Sequence, residues 1–453
     1  MDISPTALRP FYKEQKLKPS DVMAWTLERL QKADQSGVWI STIDPKQAML
    51  NAKAMDARID EIDNLPLYGL ILSVKDCIDM AGEPTTSACP EYSYIASKTA
   101  PAITLLLEAG ALYIGKTNMD QFATGLVGVR TPYGIARNPH NPAYIPGGSS
   151  SGAGVSIATG TSSIALGTDT GGSGRVPASY NGVTGFKPSP GSISKRGMVY
   201  ACRSFDTISI YTKTPEDALT TLQVMAVHDK EDAFSDPSYD IDHALKSKGE
   251  HSNIRLAVPR VSQRRFFGNT ETERLFQEAE QISKAAFSDV KETDFSVFTD
   301  INELMFFGPF VAERDVSVGG FLRENPVAAE PVVREIIIAS NKWSAADAYR
   351  AQYELMEAKR KTDEVWTEYD ALMVPTVGNV YKIEDIEADP LGPNFTNGYY
   401  TNYANPLGLV GISVPNAVTG DGVPYGVTFL GPKGSDTLVI KVAQDFLKAK
   451  SLE

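Results

Sequence analysis

Two glycine- and serine-rich turns, each joined directly to an apolar element, constrain this chain more than any other feature. The first is Pro146-Gly147-Gly148-Ser149-Ser150-Ser151-Gly152, and the second is Gly167-Thr168-Asp169-Thr170-Gly171-Gly172-Ser173-Gly174-Arg175. Ala153 to Thr159, after the first turn, reads as a small-residue helix, and Ile164-Ala165-Leu166 reads as a strand running straight into the second. Leu70-Ile71-Leu72-Ser73-Val74-Lys75, between Gly69 and Asp76, has the length and composition of a buried strand. Ile103 to Ala109 reads as a helix stopped by Gly110, and it feeds a second buried strand from Ala111 to Gly115. A long helix is predicted from an N-cap at Ser344, with Asp347 three residues on, to about Glu368, followed by a strand over Ala371–Pro375. Strands alternating with helices in this way predict a layered α/β fold.

At 453 residues the length alone suggests two or three domains. No low-complexity linker or internal repeat divides the chain, so one large domain is expected. Its first 65 residues form a helical segment (Met23, Leu27 and Leu30, then Met55, Ile59 and Ile62, at helical spacing), and 66–453 form the body, with no second C-terminal domain. The polar stretch from Lys230 to Asn253 is expected to be a surface excursion.

A net charge of -13 excludes the basic stripe of a nucleic-acid binder. The densest basic cluster, Lys359-Arg360-Lys361, reads as a solvated helix face. Cys77, Cys89 and Cys202 have no CxxC spacing and suit a reducing compartment, as buried small hydrophobes. No signal peptide and no 18-residue apolar run is visible, so the expected setting is cytoplasmic, away from membranes.

The chemistry points to the two turns. Glycine lets successive N–H groups crowd round one point, which makes an anion-binding nest. In Thr170-Gly171-Gly172-Ser173 that nest would be an oxyanion hole, with Ser173 Oγ as the attacking atom. A serine nucleophile needs a base, and a buried Lys75, its pKa lowered by desolvation, can serve through Ser149. The competing readings are an ordinary turn, a phosphate loop and a Ser-His-Asp triad. Neither turn ends in the Gly-Lys-Ser/Thr of a P-loop, and Gly172-Ser173-Gly174 does not match G-x-S-x-G. Of the four histidines (His140, His228, His243 and His251) only His140 lies near a motif, in a proline-rich turn.

These residues resemble the amidase signature family, whose hallmark is a Gly-Gly-Ser-Ser segment followed 24 residues later by the nucleophile. The resemblance implies a single mixed β-sheet flanked by α-helices on both faces, with no metal and no cofactor. It implies Ser173 as nucleophile, Ser149 as bridging serine in a cis peptide, and Lys75 as base. Thr170, Gly171 and Gly172 take the oxyanion-hole positions, and Asp169 and Arg175 brace the loop. Within the family the chain is most similar to the allophanate hydrolases, through Val74–Asp79, Thr117–Gly128, Ala201–Asp206 and Gly308–Arg314.

That similarity implies a small urea-type substrate, held by Arg314, the Phe306 position and Gly125, and a possible homodimer. Arg314 suits a bidentate carboxylate or carbonyl partner, although a structural salt bridge to a nearby acid is the plainer role. Phe306 stands where relatives carry a tyrosine, and Phe307 follows where a polar residue is usual, so a related compound such as guanylurea or biuret is an expected variant of allophanate. Two other classes share the motifs: a glutaminase-type subunit of a tRNA-dependent amidotransferase, and a catalytically dead binding module.

Overall fold

The computed structural model describes residues 1–32, 35–246, 253–306 and 308–452, without the side chains of His243, Lys246 and Phe306. His251 and Phe307 therefore lie outside the described residues, as do the side chains of His243 and Phe306. Eleven strands make one sheet: β1 Trp39–Thr42, β2 Ile71–Lys75, β3 Leu112–Thr117, β4 Ile164–Asp169, β5 Thr184–Lys187, β6 Thr207–Thr212, β7 Arg255–Pro259, β8 Asp289–Thr293, β9 Ala371–Pro375, β10 Val410–Val418 and β11 Pro424–Gly431. Their spatial order is β1-β3-β2-β4-β6-β5-β10-β11-β9-β7-β8.

The sheet is mixed. β3, β2 and β4 run parallel, β7 is parallel to both β8 and β9, and the remaining pairs are antiparallel. β2, β3 and β4 are buried along their whole lengths, as parallel strands covered on both faces require. Because these three run the same way, Lys75, Thr117 and Asp169 finish on one edge, with Lys75 in register with Thr117. The outer strand β8, Asp-Val-Lys-Glu-Thr, exposes Lys291 and Glu292, charges that discourage pairing with another chain.

The helix Ser151–Ala158 packs on β2, β4 and on the helix Val176–Asn181, which itself covers β10 and β11. Thr270–Ala286 and Asp436–Lys450 pack on each other and over β10 and β11. The long helix runs Ala345–Glu368 with Ser344 as its cap: Ser344 Oγ accepts from Asp347 N at 3.2 Å while Asp347 Oδ2 accepts from Ser344 N at 2.9 Å. It buries Ala351, Leu355, Ala358 and Thr362, one stripe at helical spacing. No helix among the described residues is long and apolar enough to cross a membrane.

Two sequence expectations need correction. The first 65 residues contain helices at Pro5–Lys13, Pro19–Leu30 and Pro45–Asp56, but Trp39–Thr42 is a strand, antiparallel to β3. Four residues, Trp-Ile-Ser-Thr, are too short a run to show an alternating pattern, and strand pairing decides their conformation. The Met55–Ile62 repeat is likewise split, since the helix ends at Asp56 and a 3₁₀ turn covers Ile59–Glu61. The stretch from Lys230 is also not purely superficial. Asp232 and Ser235 are buried, and Asp232 Oδ2 accepts from Lys195 N at 2.8 Å.

Lys187, at the end of β5, is fully buried with Nζ donating to Leu409 O at 2.5 Å and Pro188 O at 3.2 Å. Burial pushes its ammonium down to about 7, against the attraction of Asp169. Between that value and the ordinary lysine value of 10.5, the unfolded chain binds a proton that the folded chain does not. Stability therefore rises with pH through this window, by at most about 1.4 kcal/mol per pH unit from this group, and is lost as pH falls towards 7. Urea midpoints between pH 7 and 9 should rise more steeply for the native chain than for Lys187→Met.

Candidate active site

Lys75 closes β2 at 0% exposure, surrounded by hydroxyls. Its Nζ lies 2.7 Å from Ser149 Oγ, 2.9 Å from Ser150 Oγ and 2.7 Å from Thr168 Oγ1. Burial holds the ammonium below its ordinary value, against the opposing pull of Cys77, Asp120, Asp206 and Asp169. Ser150 is tied in turn to β4: its hydroxyl donates to Thr168 O at 3.1 Å and accepts from Thr168 N at 3.3 Å.

Ser149 follows a cis peptide bond with Gly148, just before the helix Ser151–Ala158. Asp120 fixes this first turn. Its backbone N–H donates to Ser149 O at 3.0 Å, and its carboxylate accepts from Val127 N, Gly128 N and Arg130 N at 3.2, 2.9 and 2.9 Å. A Cβ on Gly148 would collide with Asp120 Oδ2, which is why this position takes glycine. Gly125 is packed the same way, since a Cβ there would stand 2.6 Å from Asp120 Oδ2.

The second turn is built round a buried ion pair. Asp169 and Arg175 are both at 0% exposure, with Nε donating to Oδ2 and Nη2 to Oδ1, each at 3.0 Å. Burial alone would raise the Asp169 carboxyl, but Arg175, together with Lys187 and the Gly172 N–H, holds the group below its ordinary value. The same carboxylate accepts from Gly172 N at 2.8 Å and Gly174 N at 3.0 Å. Arg175 Nη2 continues to Thr401 O and Asn405 Oδ1, both at 3.1 Å, and Asn405 Nδ2 returns to Asp169 O at 2.7 Å. Asp169 and Arg175 thus stand where a loop brace belongs.

Ser173 is 2% exposed, and its carbonyl accepts from the Tyr211 hydroxyl at 2.7 Å. Among the described residues no hydrogen bond joins its Oγ to Ser149. Gly172 has φ +127, and a Cβ there would collide with Thr401, whose Oγ1 donates to Gly171 O at 2.8 Å. Because Gly172 N–H is engaged by Asp169, it is not a free oxyanion donor; the N–H groups of Thr170, Gly171 and Ser173 carry no bond within the turn. Thr170 Oγ1 donates to Asp206 Oδ1 at 2.5 Å.

Arg314 is 1% exposed, in the helical segment Ala312–Arg314. Its Nε donates to Thr124 Oγ1 at 3.3 Å and its Nη1 to Cys202 Sγ at 2.9 Å. The structure thus brings Arg314 to the Thr124–Gly125 turn. Phe306 ends the helix Asn302–Phe306 in the same stretch of chain. Neither described histidine ring joins the hydroxyl cluster: His140 Nε2 meets Asn181 O at 3.1 Å and His228 Nδ1 meets Ser235 Oγ at 3.2 Å.

Sequence reasoning passed over Ser150 and Thr168, the other two hydroxyls on Lys75, and Asp120, Asp206, Thr401 and Asn405, which hold the turns. Ser150 and Thr168 are visible inside the two turns. Asp120 and Asp206 lie in segments that signal resemblance only, and Thr401 and Asn405 carry no local signal.

A mixed sheet flanked by helices, with two glycine turns gathered round a buried lysine at its strand ends, is the architecture of the amidase signature fold. The chain belongs to the amidase family, whose model matches residues 21–440, and it is a hydrolase of amide C–N bonds. It is similar to the urea amidolyase of Lachancea kluyveri, at 36% identity over 425 residues, 93% of this chain but only 23% of that protein. A glutamyl-tRNA(Gln) amidotransferase subunit of Akkermansia muciniphila is 32% identical over 462 residues, 95% of each chain. Among solved structures, the allophanate hydrolase of Kluyveromyces lactis superposes with a TM-score of 0.90 at 34% identity, covering 98% of this chain and 72% of that one.

Removing one member of a buried ion pair strands the other. Arg175→Met should lower the unfolding free energy by about 3–5 kcal/mol, read from urea denaturation.

Proposed function

We propose that this chain hydrolyses a C–N bond of a small urea derivative, allophanate first, with Ser173 as nucleophile, Ser149 as relay and Lys75 as base. The observation that carries the mechanism is the set of three hydroxyls on a fully buried Lys75. A neutral amine has two N–H groups and one lone pair. The Ser150 proton is committed to Thr168 O, so Ser150 Oγ only accepts, and it takes one N–H. With the second N–H given to Thr168 Oγ1, the lone pair faces the Ser149 hydroxyl. Ser150 and Thr168 therefore aim the base.

In the acylation step Ser173 Oγ bonds to the carbonyl carbon. Its proton moves to Ser149 Oγ, and the Ser149 proton moves to Lys75 Nζ. The oxyanion is received by the N–H groups of Thr170, Gly171 and Ser173. Collapse of the tetrahedral adduct breaks the C–N bond, and the departing nitrogen takes the proton back along the relay to leave as ammonia or an amine. Water then repeats the sequence on the acyl-enzyme, restoring Ser173 and releasing the acid.

Likeness to the K. lactis allophanate hydrolase and the L. kluyveri urea amidolyase supports the substrate class, and Arg314 supplies a positive anchor for a carboxylate. Phe306, in place of a tyrosine hydroxyl, favours guanylurea or biuret as the nearest alternatives. A second reading, a glutaminase-type subunit working inside a complex, draws on the full-length likeness to the A. muciniphila protein.

Ammonia release by the purified chain from allophanate, guanylurea, biuret, malonamate and glutamine separates these readings; turnover of glutamine alone overturns the urea assignment. Ser173→Ala should abolish release with the fold intact, and near-native activity would sink the mechanism. Because protonated Lys75 cannot accept a proton, kcat/KM should fall on an acidic limb lying below the ordinary lysine range. Thr168→Val should cost about 100-fold in kcat with little change in KM, since it leaves the base in place but unaimed.

A further inference from the structure

Two of the side chains that hold Arg314 are not acids. Thr124 Oγ1 takes its Nε, and Cys202 Sγ takes its Nη1. The thiol has its own proton directed elsewhere, to Phe310 O at 3.7 Å, so a sulfur lone pair is left for the guanidinium. Phe310 lies four residues before Arg314 on the same stretch of chain, and the Cys202 side chain therefore touches that stretch twice. Burial pushes the Cys202 thiol up to about 12, which keeps the sulfur neutral.

The backbone of Cys202 is fixed from the other side. Asp206, fully buried among its partners, accepts from Ala201 N at 2.8 Å and from Cys202 N at 3.1 and 3.2 Å. The same carboxylate accepts the Thr170 hydroxyl at 2.5 Å, and Thr170 opens the turn that carries Ser173. One continuous chain of contacts thus runs from the Ser173 turn through Asp206 and Cys202 to Arg314.

We propose that Cys202 is a specificity-determining positioning residue: it sets where the Arg314 guanidinium stands relative to the Ser173 turn, and so selects short substrates with an anionic end. A carboxylate at this position would neutralise the arginine, whereas a neutral sulfur holds it without cancelling its charge. The inference rests on Arg314 as the anchor of the proposed substrate, and the test reads anchoring without turnover.

Binding of malonamate and of malonamide, which differ by one carboxylate against one amide, is measured by calorimetry on the native chain, Cys202→Ala, Cys202→Ser and Cys202→Asp, each carrying Ser173→Ala so that no ligand turns over. Cys202→Ala should weaken malonamate about tenfold, the size of one lost hydrogen bond to a charged group, and leave malonamide unchanged. Serine should restore most of the loss, and aspartate should weaken malonamate further. In steady state the KM for allophanate should rise in Cys202→Ala with less effect on KM for neutral biuret. Equal malonamate binding by the native chain and Cys202→Ala, including no binding by either, overturns the proposal, as does equal weakening of both ligands. Selective loss of malonamate binding in a chain that hydrolyses none of the ureas leaves Cys202 in this role and removes the urea assignment instead.

Discussion

The Asp169–Arg175 pair is the interaction on which the rest of the site depends. Neither charge reaches water, so each is tolerable only because the other is present and each carboxylate oxygen also finds a backbone donor. That requirement dictates the shape of the turn. Gly172 and Gly174 must present their N–H groups to Asp169, which fixes the backbone on both sides of Ser173 and turns the neighbouring N–H groups away from the carboxylate. The serine is held by an electrostatic demand two bonds removed from it.

Among the described residues three lysines, Lys75, Lys116 and Lys187, are fully buried, and their partners distinguish them. Lys187 donates to the carbonyls of Leu409 and Pro188, and Lys116 donates to Ile78 O and to Thr85 Oγ1 at 3.3 Å. A carbonyl has no proton to give, and the Thr85 hydroxyl gives its own to Asp79 Oδ1 at 2.8 Å, so these contacts stabilise an amine without offering it a proton. Lys75 alone among the three meets three hydroxyls. Burial lowers all three amines, and the cluster of hydroxyls is what sets the surroundings of Lys75 apart.

What could be read in the sequence follows from how local each signal is. The Ser344 capping box, the strand Ala371–Pro375 and the two turns announce themselves within a few residues, and the structure places them as expected. The strand Trp39–Thr42 does not, because it exists only by pairing with Leu112–Thr117. The part played by Gly172 was hidden for a related reason: its N–H is claimed by a carboxylate whose orientation depends on Arg175 and Asn405. Cys202 looked like a small hydrophobe, and burial agrees, but its contact with Arg314 crosses more than a hundred residues and leaves no trace in local composition.

The brace on the second turn is supplied by residues 401 and 405, separated from Arg175 by 226 and 230 positions. Contacts that distant form only after the intervening chain has been closed into place. A nascent chain that has already made β2, β4 and both glycine turns still lacks the carbonyl and amide that brace the Ser173 turn. The Ser173 turn therefore stays unbraced until the last third of the chain docks.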